Sequence, residues 1–258
     1  MDFTPRLDII LVGDNAASLS YIRQKTKNAE ECGIKARVHR FSSDIKEEKV
    51  REKICKLSLD PDVDGIIVQL PLPEGFDEQG LLAQVAVDKD VDGLHPSNFG
   101  CLLAGIDPCF FPPTPNGIMR LFKHYDIKLK SQSVALVGMG RLVGRPLSQM
   151  LLNCDATVLC LHEHTRDIKK YTDKSDIVVV GAGVPRLIKS EHIKKGAIVI
   201  DAGIHKIAGE LVGDVDFEEV VNKASLITPV PGGVGPLTVA ELLNNTYLAA
   251  SRRASGDF

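Results

Sequence analysis

The sequence lacks a charge excess of either sign: Lys plus Arg is 31 against 34 for Asp plus Glu. That balance argues against a protein built to sit on nucleic acid or on an anionic membrane. No stretch approaches the ~20 apolar residues needed to span a bilayer. The start, MDFTPRLDIILVG, has no basic region ahead of a long apolar run, so no secretion signal is read there. Low-complexity segments and a convincing internal repeat are absent. The cysteines, Cys32, Cys55, Cys101, Cys109, Cys154 and Cys160, form no Cys-x-x-Cys pair and no zinc-ligand spacing. They are expected to be reduced, mostly buried thiols of a cytoplasmic protein.

What is present is an ordinary globular composition, 44% apolar and 25% charged over 258 residues, long enough for one large or two modest domains. Short β-branched runs alternate with helical stretches. DIILVG, ARVHRF and DGIIVQLP read as strands, and later SVALVGMG, ATVLCL, DIVVVGA, AIVIDAG and SLITP do so. Near-continuous apolar strands separated by helices predict an α/β protein with parallel sheets covered on both faces. The run Pro112-Pro113-Thr114-Pro115 interrupts the pattern, and a helix is expected to start just after it. A domain boundary is placed there: 1–113 as a first domain, completed by a C-terminal helix over 236–258, and 114–235 as a Rossmann-like second domain.

The second group of strands opens with Gly138-Met139-Gly140-Arg141-Leu142-Val143-Gly144, between a strand and a helical stretch. Glycines there let the backbone approach a pyrophosphate, and a helix N-terminus supplies free N–H groups. The spacing, Gly-x-Gly-x-x-x-Gly, is one residue longer than the common fingerprint. The next strand, ATVLCLHEH, ends in Glu163, 25 residues after Gly138, where a ribose-reading carboxylate is expected. The alternative is a tight turn and a surface glutamate. A carboxylate accepts from a ribose 2′-hydroxyl and repels a 2′-phosphate, and Met139 brings no charge to offset it. The site therefore favours NAD over NADP, with Arg141 and Arg166 as the residues that could rescue NADP.

Three other patterns imitate functional motifs. His162 and His164 would share one face of that strand, but no third ligand accompanies them, and metal is not expected. Asp60-Pro-Asp62-Val-Asp64-Gly65 and Asp88-Lys-Asp90-Val-Asp92-Gly93 imitate calcium loops. Their twelfth positions, Pro71 and Phe99, cannot supply the bidentate glutamate of an EF-hand. Tyr21 and Lys25, in SYIRQK, share a helix face. Tyr-x-x-x-Lys is the catalytic pair of the short-chain reductases, but in that class the glycine fingerprint precedes the pair, and here it follows.

Several stretches together resemble the bifunctional methylenetetrahydrofolate dehydrogenase/cyclohydrolases: VGDNAASLSYIRQK, GIIVQLPLP, DKDVDGLHPSNFG, PPTPNG, GMGRLVGRP, IDAGI and TPVPGGVGPLT. The resemblance covers almost the whole chain, in order. It implies an oxidoreductase and hydrolase of one-carbon metabolism, in which folate is held against a nicotinamide dinucleotide in a cleft between two domains. Lys25 would be the general acid/base, with Tyr21 beside it and Gln69 contacting it. Val68 and Leu70 would flank Gln69 along the folate site. Asp92 would hold the pterin ring, since one carboxylate can accept both parallel N–H donors of an aminopyrimidinone edge. Pro231, Gly232 and Gly233 would line the substrate side. Thr114, Gly138, Met139, Gly140, Arg141, Gly144, His162, Glu163 and Ile204 would line the cofactor side. The partners implied are tetrahydrofolate derivatives and a second copy of the chain in a homodimer.

Two features depart from that family. Its members usually read Gly-Arg-Ser where this chain has Gly138-Met139-Gly140, and commonly carry serine where Glu163 stands. Both replaced residues are associated with the 2′-phosphate of NADP, so the departures agree with the preference for NAD. Relatives also carry a helical segment before the first strand, whereas only a few residues precede DIILVG. Either the substrate domain lacks a packing element or the start is incomplete. The rival readings are a dehydrogenase without hydrolase activity and a folate- or nucleotide-binding protein without turnover.

Overall fold

The computed structural model describes residues 3–256 and divides into two compact units. The first comprises the chain up to Pro113 together with Val239 onward; the second is Thr114–Thr238.

The first unit runs β1 (Arg6–Val12), α1 (Ala16–Glu31), β2 (Lys35–Phe41), α2 (Glu47–Leu59), β3 (Gly65–Val68), α3 (Glu78–Leu82) and α4 (Pro96–Leu103). Its three strands form a parallel sheet in the order β2-β1-β3. The two-residue period of β1 explains the layering. Leu7, Ile9 and Leu11 join Ile22 of α1 on one face, and Ile10 and Val12 join Val50 and Ile54 of α2 on the other. Asn15 caps α1, its side chain accepting from the Ser18 amide at 3.1 Å. The helix stops at Cys32, followed by Gly33 at φ +73°.

The second unit begins with α5 (Pro113–His124), then β4 (Ser133–Val137), α6 (Gly144–Leu152), β5 (Thr157–Leu161), α7 (Lys169–Thr172), β6 (Ile177–Val180) and β7 (Ile198–Asp201). The hairpin β8 (His205–Ile207) and β9 (Glu210–Val212), α8 (Phe217–Val220) and β10 (Leu226–Ile227) follow. The parallel sheet has the order β10-β7-β6-β4-β5. From β4 the chain moves outward to β5 on one side, then returns to place β6 on the other. The switch point of this doubly wound, Rossmann-like sheet therefore lies between β4 and β6. Finally α9 (Val234–Ser255) gives its first residues to this unit; the remainder packs Val239 and Leu242 onto the β1 face of the first.

Several expectations are corrected. The cysteines are not buried: Cys101 is half-buried and the other five are exposed. Cys32 and Cys154 stand beside helix ends, Cys160 lies on the edge strand β5, and Cys55 lies within α2. β5 stops at Leu161, so His162 and His164 share no strand face; the His164 amide instead donates to His162 Nδ1 at 3.1 Å in a turn. α5 starts inside the proline run, at Pro113, because proline lacks only an N–H that a first turn leaves free. Among the described residues no helix is long and apolar enough to cross a membrane.

The aspartates of the two calcium-like loops have structural partners. Asp60 pairs with Arg6 at 3.1 Å, and buried Asp64 takes the Arg6 amide at 2.8 Å and Arg253 Nε at 2.5 Å. Asp90, also buried, accepts from the His95 amide and from Asn98 Nδ2, each at 2.7 Å.

Candidate functional site

In the first unit α1 turns Lys25 toward the end of β3, one helical turn after Tyr21. Lys25 is only 8% exposed, and its ammonium donates to Gln69 Oε1 at 3.1 Å. Gln69 is held in turn: its Nε2 donates to the Leu70 carbonyl at 2.7 Å, and its backbone N–H to Ile10 at 2.9 Å. Val68 is buried as the last residue of β3, and Leu70 packs against the adjoining core. Ser18, buried one turn before Tyr21, reaches the Leu70 carbonyl at 3.5 Å. Tyr21 is half-buried, and burial pushes its phenol above the usual value.

Asp92 lies within electrostatic reach of Lys25. Burial pushes its carboxyl up, and the Lys25 ammonium opposes that shift. Asp92 itself is half-buried. The loop carrying it is pinned from three sides. Asp90 anchors its start through His95 and Asn98, with burial raising that carboxyl to about 7 despite those donors. Asn98 Oδ1 accepts from the Cys109 amide at 3.0 Å. Asn245, buried on α9, donates to the carbonyls of Val91 and Phe111, both at 2.9 Å. Asn245→Ala would leave buried carbonyls without a donor, a loss of about 1–3 kcal/mol. A lowered urea midpoint at unchanged slope, together with weakened folate binding, is the expected result.

In the second unit, β4 delivers Gly138 to the switch point. Its N–H donates to Leu161 at 2.8 Å, and its φ is +100°. A Cβ on Gly138 would run into the backbone of Gly181, and one on Gly144 into the Gly138 carbonyl, so the loop closes on itself where a side chain would not fit. α6 starts at Gly144, leaving a helix N-terminus beside the open backbone of Met139, Gly140 and Arg141. Arg145 Nε donates to the Met139 carbonyl at 3.1 Å and braces the loop. This cradle fits a pyrophosphate. Gly144→Ala should cost about 1–3 kcal/mol of stability through overpacking and weaken NAD binding measured by calorimetry.

Glu163 stands two residues beyond β5, next to the strand that feeds the glycine loop, with its side chain 85% exposed and His164 Nε2 at 3.5 Å. His162 is exposed and hydrogen-bonded within the same turn. Ile204 is exposed just past β7. Pro231, Gly232 and Gly233 form the turn before α9, with Gly232 at φ +103°. Thr114 is half-buried at the start of α5, its hydroxyl 2.9 Å from that of Thr238 rather than bonded to the glycine loop. Ser18, Asn98 and Asn245 escaped the sequence reading, and Asp90 was read only as part of a calcium decoy although its partners, His95 and Asn98, lie five and eight positions on.

A parallel sheet with a glycine cradle at its switch point and a carboxylate past the second strand defines a nicotinamide-dinucleotide enzyme. The Lys25–Gln69 pair, with Asp92 in electrostatic reach, adds a second site suited to proton transfer. Residues 2–92 match the catalytic domain of the tetrahydrofolate dehydrogenase/cyclohydrolases, and residues 112–254 match their NAD(P)-binding domain. The chain belongs to this family, whose two reactions are the oxidation of methylenetetrahydrofolate and the hydrolysis of the methenyl product.

The bifunctional protein FolD of Aquifex aeolicus is 49% identical over 249 residues, 96% of this chain and 86% of the relative. The crystal structure of the Campylobacter jejuni FolD dehydrogenase/cyclohydrolase superposes with a TM-score of 0.95 at 46% identity, covering 97% of this chain and 89% of that one. The Trypanosoma brucei enzyme, solved with NADP and an inhibitor, superposes at 0.92 with 36% identity, covering 97% and 88%.

Proposed function

We propose that this chain oxidises 5,10-methylenetetrahydrofolate with NAD in preference to NADP and hydrolyses the methenyl product to 10-formyltetrahydrofolate, with Lys25 as the proton-transfer group. The observation that carries the reading is the buried Lys25 ammonium held on Gln69 within reach of Asp92. Asp92 accepts the paired N–H donors of the pterin edge, and Val68 and Leu70 give that site an apolar wall. The glycine cradle, with Met139, Arg141, Thr114, His162 and Ile204, holds the dinucleotide, which when bound accepts the hydride.

Lys25 then manages the protons of the second reaction. Water adds to the bridging carbon of the methenyl cation and gives up a proton. The carbon–N5 bond breaks as N5 is protonated, leaving the formyl group on N10 and one proton released overall. Gln69 fixes the lysine so that its donor is aimed before substrate arrives. Tyr21 packs on the same helix face and limits water around it.

Glu163 supports NAD over NADP, because its carboxylate accepts from a 2′-hydroxyl and repels a 2′-phosphate. A homodimer formed through the second unit fits the family resemblance, and a cytoplasmic setting fits six unpaired cysteines. Initial rates of methylenetetrahydrofolate oxidation with NAD and NADP in parallel test the proposal. Fast reduction of NAD and slow reduction of NADP is the expected result; a preference for NADP would contradict the role given to Met139 and Glu163.

A further inference from the structure

The switch-point crevice has two walls. One is the loop at Gly138; the other is the turn after β6, Gly181-Ala182-Gly183, whose backbone abuts Gly138 so closely that no Cβ fits between them. The first wall is braced by α6 and Arg145. The second carries no helix of its own: its Gly181 N–H continues the ladder to the Val137 carbonyl at 2.8 Å, but the next two amides leave it. They turn onto one carboxylate: the Ala182 N–H donates to Asp214 Oδ2 at 2.6 Å and the Gly183 N–H to the same oxygen at 2.9 Å.

Asp214 has no accessible surface and comes from the far end of the β8–β9 hairpin. Its other oxygen, Oδ1, lies 2.6 Å from His205 Nε2, a contact in which the imidazole N–H donates to the carboxylate. His205 immediately follows Ile204, at the mouth of β7. Beneath them the buried Asp201, at the end of β7, accepts from the amides of Gly203 at 2.9 Å, Asp214 at 3.1 Å and Val215 at 2.9 Å. The Asp201 N–H donates to Thr228 Oγ1 at 2.8 Å. Two carboxylates thus tie together the loops that follow β6 and β7 and the segment returning from the hairpin.

A carboxylate accepting two backbone amides is a strong constraint, because both donors lose their partner if it goes. The arrangement sets the height of the 181–183 turn against Gly138, and hence the width of the crevice that a dinucleotide enters. It does so from behind, without surface of its own to offer a ligand. We propose that Asp214, oriented by His205, is a positioning residue for the dinucleotide: it holds the Gly181–Gly183 wall and the Ile204 wall in the spacing that NAD requires.

The inference rests on the dinucleotide reading of the glycine cradle. It predicts an effect confined to one substrate. Asp214→Ala should raise the NAD dissociation constant and the KM for NAD by about tenfold or more, the loss expected from unpairing buried amides. The KM for methylenetetrahydrofolate should stay near the wild-type value. Asp214→Asn, which keeps one acceptor oxygen for the two amides, should recover much of the affinity. His205→Ala, which removes the orienting contact and leaves the carboxylate in place, should give an intermediate loss.

The experiment titrates NAD by calorimetry into wild type and the three variants and measures both KM values. Hydrolysis of methenyltetrahydrofolate without dinucleotide is followed alongside as a report on folding. Unchanged NAD affinity in both Asp214→Ala and His205→Ala would overturn the proposal, as would parallel losses for NAD and folate. If Asp214→Ala fails to fold, His205→Ala and Asp214→Asn decide by the same split. A wild-type protein that binds no NAD would bring down the dinucleotide reading itself and the proposal with it.

Discussion

Replacing Lys25 with methionine should abolish hydrolysis of methenyltetrahydrofolate, with a fall of about 10²–10⁴-fold, the range of a general acid/base group. Methionine keeps much of the length and apolar stem, so the helix and its packing survive. What disappears is the ammonium on Gln69 and the attraction that opposes the raised carboxyl of Asp92. NAD affinity should be unchanged, because the glycine cradle lies wholly in the other unit. A Gln69→Ala variant should lose less, since Lys25 retains its proton-transfer group but not its aim. Rates of methenyl hydrolysis in the two variants, with NAD titrations as controls, check this. Intact hydrolysis in Lys25→Met would mean that proton transfer belongs elsewhere.

The second large effect concerns cofactor choice. The double variant Met139→Arg, Glu163→Ser removes the carboxylate proposed to face the ribose and adds a guanidinium on the glycine loop. Each change bears on the 2′-phosphate through charge. A charge-assisted hydrogen bond contributes about 1.5–3 kcal/mol, so each substitution should move the NADP/NAD ratio of kcat/KM by roughly ten- to a hundredfold. Together they should reverse the preference. Glu163 is well exposed, with His164 Nε2 at 3.5 Å, so stability should hardly move. Ratios measured for both single variants and the double variant would separate the lost repulsion from the gained attraction.

The fold and the glycine-rich turn were legible because their signals are local. The β-branched runs became the strands of two parallel sheets, and Gly138 to Gly144 became the turn from β4 into α6. The order of elements also separated Tyr21 and Lys25 from the reductase pair they imitate. The supporting residues were illegible because their partners are remote. Asn245 reaches Val91 across 154 positions, and Asp214 reaches Ala182 across 32. Neither spacing follows from helical or strand period. The decoy aspartates had the same cause: Asp64 reads as a ligand until Arg253 is seen against it, 189 positions away. The cysteines went wrong for a different reason. Residue type predicts burial only on average, and these fell on helix ends, an edge strand, a loop and the outer face of α2.

The central claim is that one chain both oxidises and hydrolyses the one-carbon unit, and the product formed from methylenetetrahydrofolate and NAD by the purified protein tests it most directly. The account predicts NADH and 10-formyltetrahydrofolate in equal amounts over many turnovers, with little methenyl compound accumulating beyond its uncatalysed decay. Stoichiometric binding of folate and NAD with no NADH formed would contradict it, and NADH formed with methenyltetrahydrofolate as the end product would contradict the role of Lys25.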